Sequence, residues 1–229
     1  MNMERRLTAE ERKQSIAQAV MSLFAEKGFS GATTKELAKA AGVSEALLYR
    51  YFPSKEALYS EIQQLCCQKD PEMLNALAKL PPSASSLVIT IYALFASIVY
   101  GKGGFETQHK TLKRMMLHSL VDDGKFARTF LETKSAEWIP FIKKFLDAAV
   151  LSEDLRPLKG SLIDRVWLAH HLAMAMGFLS LPTLVVVDYE ENSDTIINSA
   201  VEFTLRGLGL KDESIAKLYN PEAFKMMIG

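Results

Sequence analysis

Hydrogen-bond donors and cations are concentrated between residues 33 and 55 of the chain. Short hydroxyls, phenols and basic side chains recur there at positions that would lie at helix N-termini or on an outward helix face. Such groups take up the phosphate oxygens of a nucleic-acid backbone. The candidate contact residues, with the neighbours that share their face, are Thr33, Thr34, Lys35, Ser44, Glu45, Ala46, Leu47, Tyr49, Arg50, Tyr51 and Lys55.

Some of these side chains could also distinguish base pairs. Arg50 could reach guanine, Glu45 could accept a hydrogen bond from N4 of cytosine, and Leu47 could contact a thymine methyl group. We expect Lys35, Glu45 and Arg50 to set the choice of base, because direct readout needs side chains at base edges. The predicted phosphate contacts are Thr34, Tyr49 and Lys55.

Two short helices around a tight turn would position this set. Thr33 and Glu36 have the spacing of a capping box, and Gly42 tolerates the left-handed turn that ends a helix. Ser44 can cap the second helix, which gives a helix, a four-residue turn and a helix. This helix-turn-helix arrangement places its second helix in a major groove. The alternative is two packed helices of an all-α domain, because helical hairpins with glycine turns are common.

The run TT-x-x-LA-x-x-AGVS-x-x-x-LY-x-YF-x-x-K-x-x-L, from Thr33 to Leu58, resembles the TetR family of bacterial transcriptional regulators. The resemblance extends back over ERKQSIAQAVMSLFAEKGFSGAT. The rest of the chain resembles the family only in its length and in its helical periodicity. It implies a homodimer with an N-terminal DNA-binding domain and a C-terminal domain that binds a small inducer. The chain departs from the family pattern at Glu45, Ala46 and Leu47, where many members carry a neutral or basic residue followed by small or hydroxylated ones.

Helical periodicity without strand-like alternation continues beyond this segment, which predicts an all-α fold of nine or ten helices. The predicted N-terminal helix-turn-helix domain covers 1–54, with the motif at about 33–52 and a connecting helix at about 54–69. A boundary near the proline at position 71 separates it from the predicted effector-binding and dimerisation domain, 70–229.

The helices predicted at Leu162–Leu181 and Asp194–Leu208 have the character of an interface. Apolar residues wrap too far around the first of them for packing on one side only. The alternative is that both helices fill the core of one monomer. Dimerisation is favoured because a helix-turn-helix protein typically binds two half-sites. The predicted interface residues are Ala169, Ala173, Met176, Ile197, Ala200, Val201, Thr204 and Leu208.

Methionine and aromatic residues between positions 95 and 178 could line a pocket for an apolar or aromatic effector. Residues of these types more often fill a core than contact a ligand, so the pocket is implied mainly by the family resemblance. The candidate walls are Phe95, Val99, Phe105, Met115, His118, Trp138, Phe141, Trp167, His171, Met174 and Phe178.

The charge distribution agrees with an N-terminal nucleic-acid contact. The 229-residue chain has 27 Lys+Arg and 27 Asp+Glu, so it is not a polycation. Its first 60 residues carry nine basic and seven acidic side chains, an excess of two positive charges. This is the sign expected if only that part meets phosphate.

Several other classes of protein find little support in the chain. It has no GxSxG, HExxH or glycine-rich phosphate loop, and no Cys/His ligand spacing, so we expect no catalysis, no metal and no cofactor. Two charge-free stretches, 81–101 and 166–187, are interpreted as buried helices and not as membrane spans. With no signal peptide, this predicts a cytoplasmic protein without a membrane partner. A dimeric scaffold that has lost DNA binding, or less plausibly an enzyme, stays open as an alternative.

Overall fold

The computed structural model describes residues 7–67, 71–100 and 106–228. Within these ranges the chain forms twelve α-helices and no β-strand, and the segment Ala96–Tyr100 continues α6 as a π-helix. The helices are α1 (Ala9–Gly31), α2 (Thr34–Ala40), α3 (Glu45–Tyr51), α4 (Lys55–Cys67), α5 (Pro71–Ala78), α6 (Ala84–Phe95), α7 (Glu106–Val121), α8 (Lys125–Leu151), α9 (Leu162–Leu179), α10 (Ser193–Leu208), α11 (Asp212–Leu218) and α12 (Pro221–Ile228).

The predicted all-α class is confirmed. The described residues form twelve α-helices, where the sequence predicted nine or ten. Helices α5 and α12 lie where no element was predicted, and each begins at a proline. Proline is favourable in the first helical turn, where its missing N–H would have no partner within the helix. The proline at position 71, which was interpreted as a boundary, is therefore the first residue of α5.

The chain divides into two compact units, which are described separately. Unit 1 comprises Met1–Gln68 and Thr111–Lys134, and unit 2 comprises Lys69–Lys110 and Ser135–Gly229. The predicted domain boundary lies within two residues of the first division. However, residues 111–134 group with the N-terminal helices, although the sequence placed them in the C-terminal domain. The predicted domain limits stay a prediction.

Unit 1 has a core of apolar side chains from α1, α2, α3, α4 and the start of α8. Phe24, Leu37, Leu58 and Phe126 are among its fully buried residues. Near its end, α1 is kinked at Gly28, whose φ of 69° lies in the left-handed region. A Cβ atom at that position would also lie 3.0 Å from Nδ1 of His118. Glycine is therefore required both for the kink and for the approach of α7.

Unit 2 is organised around α6, which is apolar on nearly every face. Leu87, Ile91 and Phe95 are fully buried, and α9, α10, α11 and α12 all pack against this helix. A helix that is hydrophobic all round belongs in a core. The interpretation of 81–101 as a buried helix is thus confirmed for α6. None of the described helices is long and apolar enough to cross a membrane.

Candidate nucleic-acid interface

The start of α2 is fixed by the predicted capping box. The side chain of Thr33 accepts a hydrogen bond from the backbone N–H of Glu36, and the Glu36 carboxylate accepts one from the N–H of Thr33 at 3.0 Å. Lys27 also forms an ion pair with Glu36. The hydrogen bond from Lys27, followed by those from Thr33, lowers the pKa of Glu36 to about 2. The carboxylate is therefore ionised at neutral pH and holds the first turn of α2 in place.

The turn between α2 and α3 has the four residues that the sequence predicted. Gly42 adopts a φ of 64°, its N–H donates to the carbonyl of Lys39, and the N–H of Val43 donates to the carbonyl of Ala38. This arrangement terminates a helix with a left-handed glycine. The Ser44 hydroxyl then accepts from the N–H of Leu47 at 3.1 Å and begins α3. Local hydrogen bonds thus determine where α2 ends and where α3 begins.

Helix α3 has one buried side and one exposed side. Leu48 is buried, whereas Glu45, Ala46, Tyr49 and Arg50 are exposed. Residues at i, i+1, i+4 and i+5 share one helix face. Of the other predicted contact residues, Thr33, Lys35 and Ser44 are exposed, and Thr34, Leu47, Tyr51 and Lys55 are half-buried. The structure therefore leaves the whole predicted set at least partly accessible.

Lys55 is partly engaged within the protein. Its Nζ donates to the carbonyl oxygen of Ala32 at 2.7 Å and lies 4.5 Å from the ring centroid of Phe29. An ammonium group has three N–H donors, so this carbonyl leaves others for a phosphate. The contacts also tie the start of α4 to the end of α1, a structural role that the sequence did not reveal.

The predicted effector walls are not brought together in one pocket. Met115 and His118 belong to unit 1, and Phe105 lies outside the described residues. Phe95 and Phe141 are buried in the core of unit 2. Trp138 and His171 each pack on Trp167, with ring centroids 5.3 Å from it for Trp138 and 6.0 Å for His171. Met174 and Phe178 are half-buried on α9.

Unit 2 contains a cavity of about 270 Å³ between α9, α10 and the loop that joins them. Among its lining residues only Val99 belongs to the predicted effector set. Met176 and Ile197, which the sequence assigned to a dimer interface, line it as well. The loop supplies a continuous apolar wall, which consists of Leu184, Val185, Val186 and Val187.

The predicted dimer contacts on α9 and α10 require correction. Six of them are buried within the protomer and cannot contact a second chain: Ala169, Ala173, Ile197, Val201, Thr204 and Leu208. Met176 and Ala200 are half-buried. Helix α9 is apolar over most of its circumference, so periodicity alone could not tell its inner face from its outer one. Helix α10 has a distinct apolar stripe, and its predicted contacts lie on that stripe, which packs into the core of the protomer.

Other apolar residues of the same helices are exposed. Leu168 is 65% and Phe203 70% exposed, and Leu179 is exposed as well. The four loop residues from Leu184 to Val187 are also exposed, although the sequence placed them in a buried helix. That interpretation was wrong for the loop, because α9 ends at Leu179. The run of four consecutive exposed apolar residues at 184–187 is typical of an interaction site.

The chain is similar in sequence to known bacterial regulators. The model of the family described as bacterial regulatory proteins, tetR family, matches residues 16–62. The HTH-type transcriptional regulator AcrR of Shigella flexneri is 28% identical over 170 residues, which cover 70% of this chain and 76% of AcrR. The nucleoid occlusion factor SlmA of Haemophilus ducreyi is 31% identical over 93 residues, 40% of this chain and only 45% of that relative.

Solved structures of low sequence identity have the same all-α architecture. A bacterial regulatory protein in the tetR family from Rhodococcus RHA1 superimposes with a TM-score of 0.63 at 16% identity, over 88% of this chain and 99% of that one. AibR, solved in complex with isovaleryl coenzyme A and operator DNA, gives a TM-score of 0.56 at 16% identity, over 88% and 100% of the two chains. Residues 16–62 of this chain thus carry the sequence of bacterial regulatory proteins of the tetR family, and the described residues share the fold of solved members of that family.

Proposed function

We propose that this protein binds double-stranded operator DNA through α2 and α3 and regulates transcription as a homodimer. The observation that carries the proposal is the exposed face of α3, with Glu45, Tyr49 and Arg50, on a helix whose opposite side is buried through Leu48. A helix held in this way can enter a major groove without losing its packing.

The relatives support this function in different degrees. AcrR is a transcriptional regulator, and AibR has been solved with operator DNA. The match to SlmA of Haemophilus ducreyi covers 45% of that protein, so it gives no reason to extend nucleoid occlusion to this chain. Transcriptional regulation is therefore the function that we favour over nucleoid occlusion.

The exposed apolar residues of α9 and α10, Leu168, Leu179 and Phe203, support a homodimer. Burying such residues against a second chain would stabilise the pair by about 25 cal/mol for each square ångström of apolar surface. A two-fold axis would place two copies of α3 on half-sites about 34–36 Å apart. We infer that these outward residues form the dimer contact, in place of the inward ones that the sequence predicted.

We further propose that the protein is a repressor and that a mainly apolar small molecule releases it from DNA. The cavity between α9, α10 and the loop at 184–187 is the site that we favour for this effector, because its walls are largely aliphatic. AibR, which has a similar fold, has been solved in complex with isovaleryl coenzyme A, whose acyl group is short and apolar.

Gel-shift titration with DNA fragments from the region upstream of the gene tests the central proposal. The measurement needs a defined salt concentration, because phosphate contacts make the affinity salt-dependent. Wild-type protein should retard one fragment preferentially, and Lys144→Ala, on an exposed part of α8 in unit 2, should retain that affinity. Failure to bind any fragment would favour a dimeric scaffold, or an enzyme, over a regulator.

The effector proposal is tested by screening apolar compounds for a rise in melting temperature. A compound found in this way should weaken DNA binding, and DNA should weaken binding of the compound by the same factor. Ile196→Phe adds volume at the cavity wall and should reduce affinity for the compound, whereas Leu151→Phe, outside that cavity, should not. Unequal coupling factors at equilibrium would contradict the mechanism.

A further inference from the structure

The loop that joins α9 to α10 presents apolar side chains that its own protomer leaves uncovered. Leu184, Val185 and Val186 are each more than half exposed. They follow closely after Leu179, an exposed residue at the end of α9 that we place in the dimer contact. Because a continuous exposed apolar segment marks an interaction site, we looked for a surface that could cover it.

The same loop is strongly acidic. Asp188, Glu190 and Glu191 directly follow the apolar run, and all three are exposed. Positions 180–193 contain no lysine or arginine. Two copies of the loop placed side by side would therefore bring together the carboxylates of both chains, and like charges in contact are unfavourable. The loop instead fits an apolar surface that has basic residues at its edge.

Unit 2 contains a surface of this kind at another place. It is a groove of about 540 Å³ between the end of α8, the start of α9 and Lys211, the residue just before α11. Val150 and Leu158 are exposed there, so part of its apolar wall is open to contact. The apolar residues that line the groove are Val150, Leu155, Pro157, Leu158 and Leu162.

The edge of this groove carries positive charge. Arg156 and Lys211 are among its lining residues, against Glu153 as the acid. Arg156 also pairs with Asp212, at 3.2 Å. Lys159, which directly follows the apolar wall in sequence, is exposed and adds a further cation. Lys159 and Lys211 together exceed the single charge of Glu153, so the groove has the opposite sign to the loop.

The groove and the loop lie at opposite ends of the α9–α10 pair. Arg165, near the start of α9, donates to the carbonyl of Gly207, near the end of α10, at 2.9 Å, so the two helices are antiparallel. At this end the backbone N–H of Arg156 donates to the Gly209 carbonyl at 2.8 Å. The wall of the groove is thus fixed to the end of α10. Since α9 has 18 residues, about 27 Å separate this end from the loop.

A two-fold axis can bring the loop of one chain to the groove of another. If the axis crosses α9 at a right angle between Leu168 and Leu179, the two copies of α9 are antiparallel. The loop end of each chain then lies beside the groove end of the other. An axis parallel to α9 would instead set the two acidic loops side by side. The charges therefore favour the perpendicular axis.

We propose that residues 184–191 of each protomer dock in the groove of a second copy of this chain, so that the dimer has two reciprocal loop-to-groove contacts. The apolar run covers the wall that includes Val150 and Leu158, and the acids face Lys159 and Lys211. The inference rests on the proposed homodimer and adds to it a contact that each partner completes for the other.

Cysteine cross-linking of the full-length protein tests this arrangement. In a chain whose cysteines at 66 and 67 are replaced by serine, Val186→Cys is combined with Leu158→Cys. A disulfide needs Cα atoms within about 7 Å, so these two positions, at opposite ends of one protomer, can be bridged only between chains. We expect at least about fivefold more covalent dimer after oxidation than from either single variant, as measured on non-reducing gels.

The control replaces the groove position by one outside it. Val186→Cys with Lys144→Cys, at an exposed position of α8, should give no more covalent dimer than Val186→Cys alone. If Val186→Cys alone gives as much as the loop-to-groove pair, the loops face each other and the proposal is overturned. If that pair gives no covalent dimer while light scattering shows a dimer, the loop serves a different protein.

Charge reversal tests the ionic part of the contact. Lys159→Glu should raise the dimer dissociation constant about three- to tenfold, because it replaces attraction at a partly exposed edge by repulsion. Glu190→Lys in the same chain should restore most of the loss, whereas it should not improve Lys144→Glu. Sedimentation equilibrium measures the constants, and thermal unfolding shows that each variant is folded. Purely additive effects in the Lys159→Glu, Glu190→Lys variant would overturn the pairing.

The results also separate this inference from the proposed function. A wild-type chain that is monomeric at micromolar concentration would refute the homodimer and the docking together. A dimer that cross-links as expected but binds no DNA would refute operator binding and leave the loop-to-groove contact standing. A dimer that binds DNA without the cross-link would refute only the docking.

Discussion

The phenolic oxygen of Tyr49 lies 3.2 Å from Oγ1 of Thr34, which makes a hydrogen bond between α3 and the first residue of α2. Tyr49 is 49% exposed, so its hydroxyl remains accessible beside the N-terminus of α2. Two residues that are fifteen positions apart in sequence thus present their hydroxyls at one place. A phosphate there would meet both hydroxyls and the free N–H groups at the start of α2.

Removal of the Tyr49 hydroxyl should weaken DNA binding and leave the fold unchanged. Tyr49→Phe is expected to cost about 1 kcal/mol of binding free energy, or about fivefold in Kd, because one neutral hydrogen bond is lost. Thermal stability should change by less than about 0.5 kcal/mol, as is usual for surface positions. Fluorescence anisotropy with labelled operator measures the effect. Tyr189→Phe, an exposed phenol in unit 2, is the control and should bind as the wild type does.

Arg50 and Lys55 should differ in how their loss affects DNA binding. Arg50→Ala is expected to relax specificity at one base pair and to cost about 1–3 kcal/mol on the preferred site. Lys55→Ala should weaken binding to every sequence alike and reduce the slope of log Kd against log salt by about one unit. Titrations of preferred and scrambled DNA at several salt concentrations separate the two. A changed sequence preference with an unchanged salt slope in Lys55→Ala would contradict the assignment.

Lys55→Ala should also lower the free energy of unfolding. The substitution removes the hydrogen bond to the Ala32 carbonyl and the cation–π contact with Phe29. Together these contacts stabilise by about 1–2 kcal/mol. Urea unfolding measures the change, with Lys144→Ala as the control at an exposed position. A loss as small as that of Lys144→Ala would mean that Lys55 has no structural role.

The dimer should depend on outward residues of α10. Phe203→Arg places charge on a residue that is 70% exposed in the protomer, so the fold should persist while the dimer dissociates. Light scattering at micromolar concentration should then show a monomer, because an unpaired charge in a desolvated contact costs several kcal/mol. Leu151→Arg, also highly exposed, is the control and should remain dimeric.

Val201→Arg should behave differently, because Val201 is fully buried in the core of unit 2. It should reduce the melting temperature of the protomer itself, since an uncompensated charge is placed in an apolar core. If Phe203→Arg stays dimeric with unchanged thermal stability, the dimer contact lies elsewhere.

Stability should fall as the pH falls from about 6.5 to about 4, because of His170. Burial, and then the charge of His171, lowers the pKa of His170 from 6.5 to about 4. The unfolded chain therefore binds a proton in this range that the native protein does not, and the cost reaches about 3 kcal/mol at the acid end. His170→Leu should flatten this part of the stability profile, as measured by urea unfolding at each pH. His171→Leu, at an exposed position, should leave most of the decline in place.

The sequence by itself determined the helix-turn-helix and its limits. Thr33 with Glu36, Gly42, and Ser44 mark helix starts and stops through hydrogen bonds to backbone groups only a few residues away. Such interactions depend on residues that the chain keeps close in any fold, so they can be predicted from spacing alone. The same holds for the starts of the two helices that were predicted to form an interface, which lie within one residue of the observed positions.

Only the tertiary structure decided which apolar side chains face inward. Val201 and Phe203 lie two residues apart on α10, yet one is fully buried and the other largely exposed. Likewise, Phe126 joins Tyr59 in unit 1, although the sequence placed Phe126 in the C-terminal domain and Tyr59 in the connecting helix. Burial is set by packing against helices that are distant in the chain, and the residue type alone does not say whether an apolar side chain such as Phe203 meets one of them.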